Sequence, residues 1–403
     1  MDTLDAALDN AVGVPASQES GWRKLEFLRN PFPSRSHPIW DVFYGQEVVR
    51  KRFYDDLVVF LRDSTTTTLF FTGGNRVGKT HFMEYHRREL SRRLPERGLT
   101  VPVVVASAQS CDFWQLYIQM IEQVDDSLRA QAGAGLFEAE VPPAVAERLS
   151  ELPSGDFRRA VERAWSARTT PQGSEPVRLL LRQWLRGERL RAAKREELGV
   201  SGLLDSQAEV MNAFEGLVKY LLLQEPSAAT TAPGAERPSR CSGIVIFLDE
   251  FELVWKFRRD RRDQYLQALR ALIDACPKGL FLSVGMATNT GVGTGEVETA
   301  YPALFQRLKG ARSIPTLVQI GGVVEALGYA RSFEEYGRRE FRSRPGQGPA
   351  PQEGKQSLFS DREIEALFKE LAGFIGSVAQ GEFFDRLHLE AERKLQSHQE
   401  ASR

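Results

Sequence analysis

The chain has 403 residues, 42% hydrophobic and 27% charged. That length suits two or three globular domains, and the composition excludes a fibre or a wholly disordered chain. Its 53 basic and 54 acidic side chains leave a formal charge of −1, so the molecule as a whole is no polycation and any contact with nucleic acid must come from a local basic patch.

In chain order, residues 1–29 read as a flexible N-terminal arm. The stretch 30–45, with three prolines and four aromatics, reads as an ordered but irregular strap. Apolar residues at helical spacing (Val48, Val49, Phe53, Leu57, Phe60) predict a helix over 47–61. A β-branched and aromatic run predicts a strand over 66–72, then a Gly-rich turn and a helix over 79–94 that Pro95 stops. A strand is expected over 101–106 and a helix over 113–128. From 130 to 202 the chain is polar with broken helical signals, such as that over 177–194, and reads as a helical insertion. A helix over 203–223 and a Pro/Ala/Ser-rich linker over 226–239 follow. The most apolar strand is expected over 243–248, a helix over 264–276, a strand over 280–287, a Gly-rich loop over 292–299, a short helix over 301–309 and a last strand over 316–320. Beyond Gly322 only helices are signalled, over 323–341, 361–371 and 374–395, with a loop over 343–355. Strands alternating with helices predict an α/β fold with a parallel sheet. The expected division is therefore a core in two parts, 30–129 and 203–321, separated by the insertion 130–202 and followed by a helical lid, 322–403.

Cys111, Cys241 and Cys276 are odd in number and far apart, and the five histidines show no ligand spacing, so neither a disulfide framework nor a zinc ribbon is expected. The acidic opening Met1-Asp2-Thr3-Leu4-Asp5 differs from a signal peptide, and no apolar run approaches the roughly 20 residues that cross a bilayer. A cytoplasmic protein without membrane contact is expected.

The chemistry lies in Gly73-Gly74-Asn75-Arg76-Val77-Gly78-Lys79-Thr80, a complete P-loop motif between a strand and a helix. Glycines let the main chain turn its N–H groups toward a β-phosphate, and the helix N-terminus, with His81 in its first turn, adds its dipole. Lys79 supplies charge to the β- and γ-oxygens, and Thr80 offers its hydroxyl to Mg²⁺. The apolar strand 244–248 ends in Asp249-Glu250. Asp249 is the expected second holder of Mg²⁺ and Glu250 the group that polarises the attacking water. The absence of an Asn-Lys-x-Asp motif weighs against GTP and for ATP.

With these residues the chain resembles the AAA+ ATPases, and within them the origin-recognition and Cdc-six-like initiators and the ATPases that regulate bacterial transposition. The resemblance rests on Asn30-Pro31-Phe32, Phe43-Tyr44-Gly45-Gln46-Glu47, the P-loop and Leu248-Asp249-Glu250-Phe251-Glu252. It runs from Asn30 to about Leu395 and leaves 130–202 unmatched. It implies a P-loop NTPase core, a strap whose Tyr44 and Gly45 contact the base, and a sensor residue, Asn289, at the end of the strand Met286-Ala287-Thr288. It also implies an arginine finger, Arg307 in Tyr301-Pro302-Ala303-Leu304-Phe305-Gln306-Arg307, acting on a neighbouring subunit's nucleotide, with Arg312 as its rival. The lid departs from the pattern: Ala372-Gly373-Phe374-Ile375-Gly376-Ser377 lacks the sensor-two Arg, which fits a slow switch better than a processive motor.

Three basic clusters are candidate DNA contacts, and Lys256-Phe257-Arg258-Arg259-Asp260-Arg261-Arg262 is the foremost, with aromatics that could stack on bases. Arg258, Arg259, Arg261 and Arg262 are the residues expected to carry it. The reading is a Mg²⁺-dependent ATPase, a homo-oligomer acting as a switch or loader on double-stranded DNA in replication, transposition or defence against mobile DNA. The alternatives are a scaffold ATPase that gates contacts with a protein partner through the insertion or the lid, and a nucleotide-dependent structural module with negligible turnover.

Overall fold

The computed structural model describes residues 21–138, 140–153, 155–224, 241–288, 293–309, 313–343 and 357–401. The expectations for 1–20 and 226–239, and nearly all of the loop 343–355, lie outside these residues. Strands β1 (Thr67–Gly73), β2 (Val103–Ser107), β3 (Ile244–Asp249), β4 (Leu280–Ala287) and β5 (Thr316–Leu317) form one sheet of order β2-β3-β4-β1-β5. The β2–β3, β3–β4 and β4–β1 pairs are parallel. The helices are α1 (Glu47–Asp63), α2 (Lys79–Arg93), α3 (Phe113–Ala132), α4 (Pro143–Ala146), α5 (Asp156–Ser166), α6 (Glu175–Leu185), α7 (Ala192–Leu198), α8 (Gln207–Leu223), α9 (Arg259–Ala275), α10 (Thr294–Ala300), α11 (Pro302–Lys309), α12 (Val323–Arg342), α13 (Asp361–Ala372) and α14 (Gln380–Ala401). This strand order, with a P-loop leaving β1, is a P-loop NTPase core.

Two compact units divide the chain. One takes Glu47–Gly73 and Phe82–Thr316, the other Met1–Gln46, Gly74–His81 and Leu317–Arg403. In the first, the sheet is buried on both faces, which is why its strands read as continuous apolar runs. Ile244, Ile246, Leu248, Leu280, Leu282 and Val284 enter one large core with Phe157, Trp184 and Phe214 of the helices between β2 and β3. On the opposite face Phe53 of α1 packs against Phe82, Phe247 and Phe281.

The outer edge of β2 is covered by side chains. Gln131, Ser127, Gln123 and Gln119, four residues apart on α3, accept from the main-chain N–H groups of Val101, Val103, Val105 and Ser107 at 3.0, 3.1, 2.9 and 3.3 Å. Gln123 and Gln131 also donate to the Val105 and Val101 carbonyls, at 2.7 and 2.8 Å. An exposed strand edge would template aggregation; here a helix supplies the missing ladder.

The second unit has its own core, in which Phe27 and Phe32 meet Ile320, Tyr329, Phe333, Phe359, Phe383 and Leu387. An antiparallel bridge pairs Ile320 with Val378.

Several boundaries differ from expectation. The helix expected over 177–194 is two, α6 and α7, because Gly187 at φ 72° breaks it. The helix expected from 203 begins at Gln207, after a Ser206–Glu209 capping box. The helix expected over 264–276 starts at Arg259. The loop expected over 292–299 contains α10, from Thr294. The last strand stops at Leu317. Residues 374–379 are not helical: α14 begins at Gln380, and Phe374 and Ile375 sit in a turn between Gly373 at φ 48° and Gly376 at φ 75°.

Candidate nucleotide site

The loop 74–78 connects β1 to the first turn of α2 and turns on two left-handed residues, Arg76 at φ 62° and Gly78 at φ 92°. Glycine is required at 78 on two counts. A side chain would hold that φ only under strain, and a Cβ would stand 2.4 Å from Oε1 of Gln380. Gln380 is itself held, donating through Nε2 to the Tyr329 hydroxyl at 2.6 Å. Lys79 Nζ donates to the Gly74 carbonyl at 2.8 Å, across the mouth of the loop.

Arg76 ties the loop to α14. Its Nη2 donates to the Gly381 carbonyl at 2.7 Å and to the Asp385 carboxylate, and the Gly381 N–H returns a bond to the Arg76 carbonyl at 2.9 Å. Arg35 of the strap stands 3.9 Å from the same carboxylate. Neither Asp385 nor Gln380 carries any signal in the sequence; they matter only because α14 starts where it does.

A cavity of about 450 Å³ opens here, lined by Gly78, Lys79, Thr80 and His81 of the loop and α2 and by Pro38, Ile39 and Trp40 of the strap. His81 meets Trp40 and Phe43 edge-on, with ring centroids 5.7 and 5.6 Å away. Burial pushes its pKa down to about 4, against the opposing pull of a bond to the Val42 carbonyl and the charge of Asp41. Its Nε2 is shut from solvent without a partner among the described residues. Tyr44 and Gly45, expected at the base, are not on this cavity. Tyr44 packs edge-on to Tyr329 with centroids 5.0 Å apart, and a Cβ on Gly45, at φ 69°, would lie 2.9 Å from the Tyr329 hydroxyl. The strap residues on the cavity are the preceding Pro38, Ile39 and Trp40, which the sequence reading did not single out.

In the other unit, β3 ends in the acidic pair. The Gly73–Ala287 and Leu248–Val284 registers put the carboxyl ends of β1 and β3 at one edge of the sheet, either side of β4. Asp249 is buried, and its Oδ1 accepts the Glu250 N–H at 2.8 Å. Glu250 turns left-handed, φ 56°, and its carboxylate accepts from Ser107 Oγ at 2.8 Å and Gln109 Nε2 at 2.5 Å, both at the end of β2. Glu252, buried as well, accepts the Ala287 N–H at 2.8 Å and ties this turn to the end of β4. Ser107 and Gln109 were missed from sequence, because a polar pair after a strand reads as an ordinary turn.

Asn289 and Arg312 lie outside the described residues. Arg307, on α11, donates through Nε to Asp274 of α9 and through Nη1 to the Ala303 carbonyl at 2.9 Å. Of the four basic residues, Arg258 and Arg259 project at the start of α9, 87% and 86% exposed, within 3.7 and 3.6 Å of Asp260 and Asp263. Arg261 and Arg262 lie over the rings of Phe257 and Trp255. The three cysteines are free and buried. Among the described residues no His, Cys, Asp and Glu side chains cluster as a metal site, and no helix is long and apolar enough to cross a membrane.

A chain from the structure of the Aeropyrum pernix Orc1 protein in complex with DNA is similar to this one at 17% identity and a TM-score of 0.40, covering 88% of this chain and 61% of that one. No curated protein matches. Residues 107–314 match the family model described as BREX system ATP-binding protein BrxC/D. That span begins after the P-loop at Ser107, takes in the stretch 130–202 and the acidic end of β3, and reaches past Arg307. It is more than half of the 403 residues, and the chain therefore belongs to the BrxC/BrxD family of BREX-system ATP-binding proteins.

Proposed function

We propose that this chain is a Mg²⁺-dependent ATP hydrolase that serves the BREX system as an ATP-controlled, oligomerising switch or loader on double-stranded DNA. One observation carries the reading: a complete P-loop leaves β1 at the edge of the sheet where β3 ends in Asp249-Glu250. Parallel α/β sheets bind their ligands at that edge.

In this reading the N–H groups of 74–78 and the start of α2 hold the β-phosphate. Lys79 leaves the Gly74 carbonyl for the β- and γ-oxygens. The Thr80 hydroxyl and the Asp249 carboxylate are hard oxygen donors of the kind Mg²⁺ takes, and these two would hold it; when bound, the ion neutralises charge on the phosphate oxygens. Glu250 orients and polarises the attacking water, which requires it to leave Ser107 and Gln109. Arg307 leaves Asp274 and reaches a neighbouring subunit's nucleotide, where a guanidinium offsets charge on the transferred group. Arg258 and Arg259 meet DNA phosphates.

The test is the rate of phosphate release with and without double-stranded DNA over a salt series, beside sizing in ATP and in ADP. Faster turnover with DNA, DNA binding that weakens steeply with salt and a larger species in ATP are expected. No ATP turnover in any condition would overturn the enzymatic reading, and indifference to DNA would overturn the DNA role.

A second reading, an ATPase that gates contacts with a protein partner, is favoured by the turn of Phe374 and Ile375, whose side chains are 112% and 84% exposed. Paired large apolar groups at one exposed tip suit a protein contact better than a phosphate backbone. Loss of a co-purifying protein on Phe374→Ser with Ile375→Ser, with turnover and DNA response unchanged, would favour it.

A further inference from the structure

The second unit also holds a cavity of about 870 Å³ that shares no lining residue with the nucleotide cavity. It is walled by α12, the start of α13, the last turns of α14 and the chain at 24–27. Five cationic side chains line it, Lys24, Arg331, Arg338, Arg393 and Lys394, against two carboxylates, Asp361 and Glu363. Three of the cations are committed. Arg331 is paired with Glu334 and Asp361, Arg338 with Glu26, and Lys394 with Glu363. The other two are available to a ligand. Lys24 is exposed and makes no ion pair with another described residue. Arg393 is 63% exposed and pairs with Glu390 on its own helix at 2.8 Å; such exposed pairs are weak, so an incoming anion can take the guanidinium. Half-buried Leu25 and Leu358 add apolar surface to the same cavity.

This chemistry fits an acidic segment with apolar side chains among its charges, and the chain carries one beside the cavity. Residues 1–20 include Asp2, Asp5, Asp9 and Glu19 but no Lys or Arg, and Leu4, Leu8 and Val12 are spaced among them. They join the described structure at Gly21, which is pressed onto α14: a Cβ there would stand 2.5 Å from Gln399 Nε2 and 2.7 Å from Leu395 Cδ1. Those two residues alternate along α14 with Arg393, Lys394, Ser397 and His398 of the cavity wall, and Lys24 follows Gly21 by three residues. Attachment at that point gives the segment an effective concentration of about millimolar, so weak contacts suffice to hold it. Nucleic acid would also bring anions, but a phosphate backbone has nothing to cover Leu25 and Leu358.

We propose that the acidic segment 1–20 docks in cis on this cavity, its carboxylates meeting Lys24 and Arg393 and its leucines meeting Leu25 and Leu358. Docked, it closes the basic face of α13 and α14 to other anions.

The test is amide hydrogen exchange on the full chain. Amides of residues 2–14 are expected to exchange about tenfold or more slowly in the wild type than in Lys24→Glu combined with Arg393→Glu, since docking shields them. Adding Asp5→Lys and Asp9→Lys to that variant swaps the two charges and should restore slow exchange, a recovery that a folding defect cannot produce. Equal exchange in the wild type and the charge-reversed variant, or no recovery in the fourfold variant, would overturn the proposal. So would amides of 2–14 that stay fast in the wild type while a double-stranded DNA oligonucleotide slows those of 357–363, since the cavity would then take nucleic acid.

Discussion

Ser107 Oγ donates a hydrogen bond of 2.8 Å to the carboxylate of Glu250. Ser107 ends β2 and Glu250 follows the last residue of the neighbouring parallel strand β3, where Ser107 is in register with Asp249, and Gln109 adds a second donor at 2.5 Å. A carboxylate with both donors in place is held toward β2 and has less freedom to orient water. This state is a resting one for the proposed chemistry.

Glu250→Gln is expected to leave ATP binding intact and to lower turnover by about a hundredfold or more, the usual scale for a positioned base. Ser107→Ala combined with Gln109→Ala should do the opposite and raise basal phosphate release severalfold. Equal turnover in Glu250→Gln and wild type would remove Glu250 from its role.

The ladder from α3 to β2 makes a prediction about stability alone. Gln123 both accepts from and donates to the main chain of Val105, at 2.9 and 2.7 Å. Gln123→Ala leaves both groups unpaired and should destabilise the chain by about 1–3 kcal/mol, read as a lower midpoint in denaturant. Unchanged stability would mean that water replaces the side chain at that edge.

Gly78→Ala puts a Cβ at φ 92° and 2.4 Å from Gln380 Oε1. The backbone strain alone is about 1–2 kcal/mol, so a loss of ATP affinity of about tenfold is expected, together with a lower melting temperature. Wild-type affinity in this variant would show that the loop takes another shape.

Arg307 is paired with Asp274 of its own chain, so action on a neighbour requires that pair to open. Arg307→Ala alone should lose hydrolysis, and mixing it with Glu250→Gln should restore part of it, because one subunit then brings the base and the other the guanidinium. Absence of rescue in mixing experiments would confine Arg307 to its bond with Asp274.

Much of this was readable in the chain because it depends on local patterns. The P-loop announces itself by glycines that few turns need, and β3 and β4 by unbroken apolar runs that burial on both faces demands. What escaped depends on tertiary partners. The start of α9 was hidden because Arg259, Asp260, Arg261 and Arg262 show no apolar stripe, though Asp260 suits a helix N-terminus. Phe374 and Ile375 looked like the first turn of a core helix because apolar character gives no sign of exposure. Gln119, Gln123, Ser127 and Gln131 keep a spacing of four that was visible, but nothing local says that such a stripe faces a strand edge. Asp385 and Gln380 acquire meaning only against Arg76 and Gly78.

The central claim is that main-chain amides of the P-loop close on a triphosphate, and its most direct test is equilibrium uptake of labelled ATP with Mg²⁺ by wild type and Lys79→Ala. Saturable one-to-one uptake by the wild type, weakened by about tenfold or more in the variant as a charged partner is lost, is the predicted result. Uptake that is absent from the wild type, or identical in the two proteins, would contradict the account.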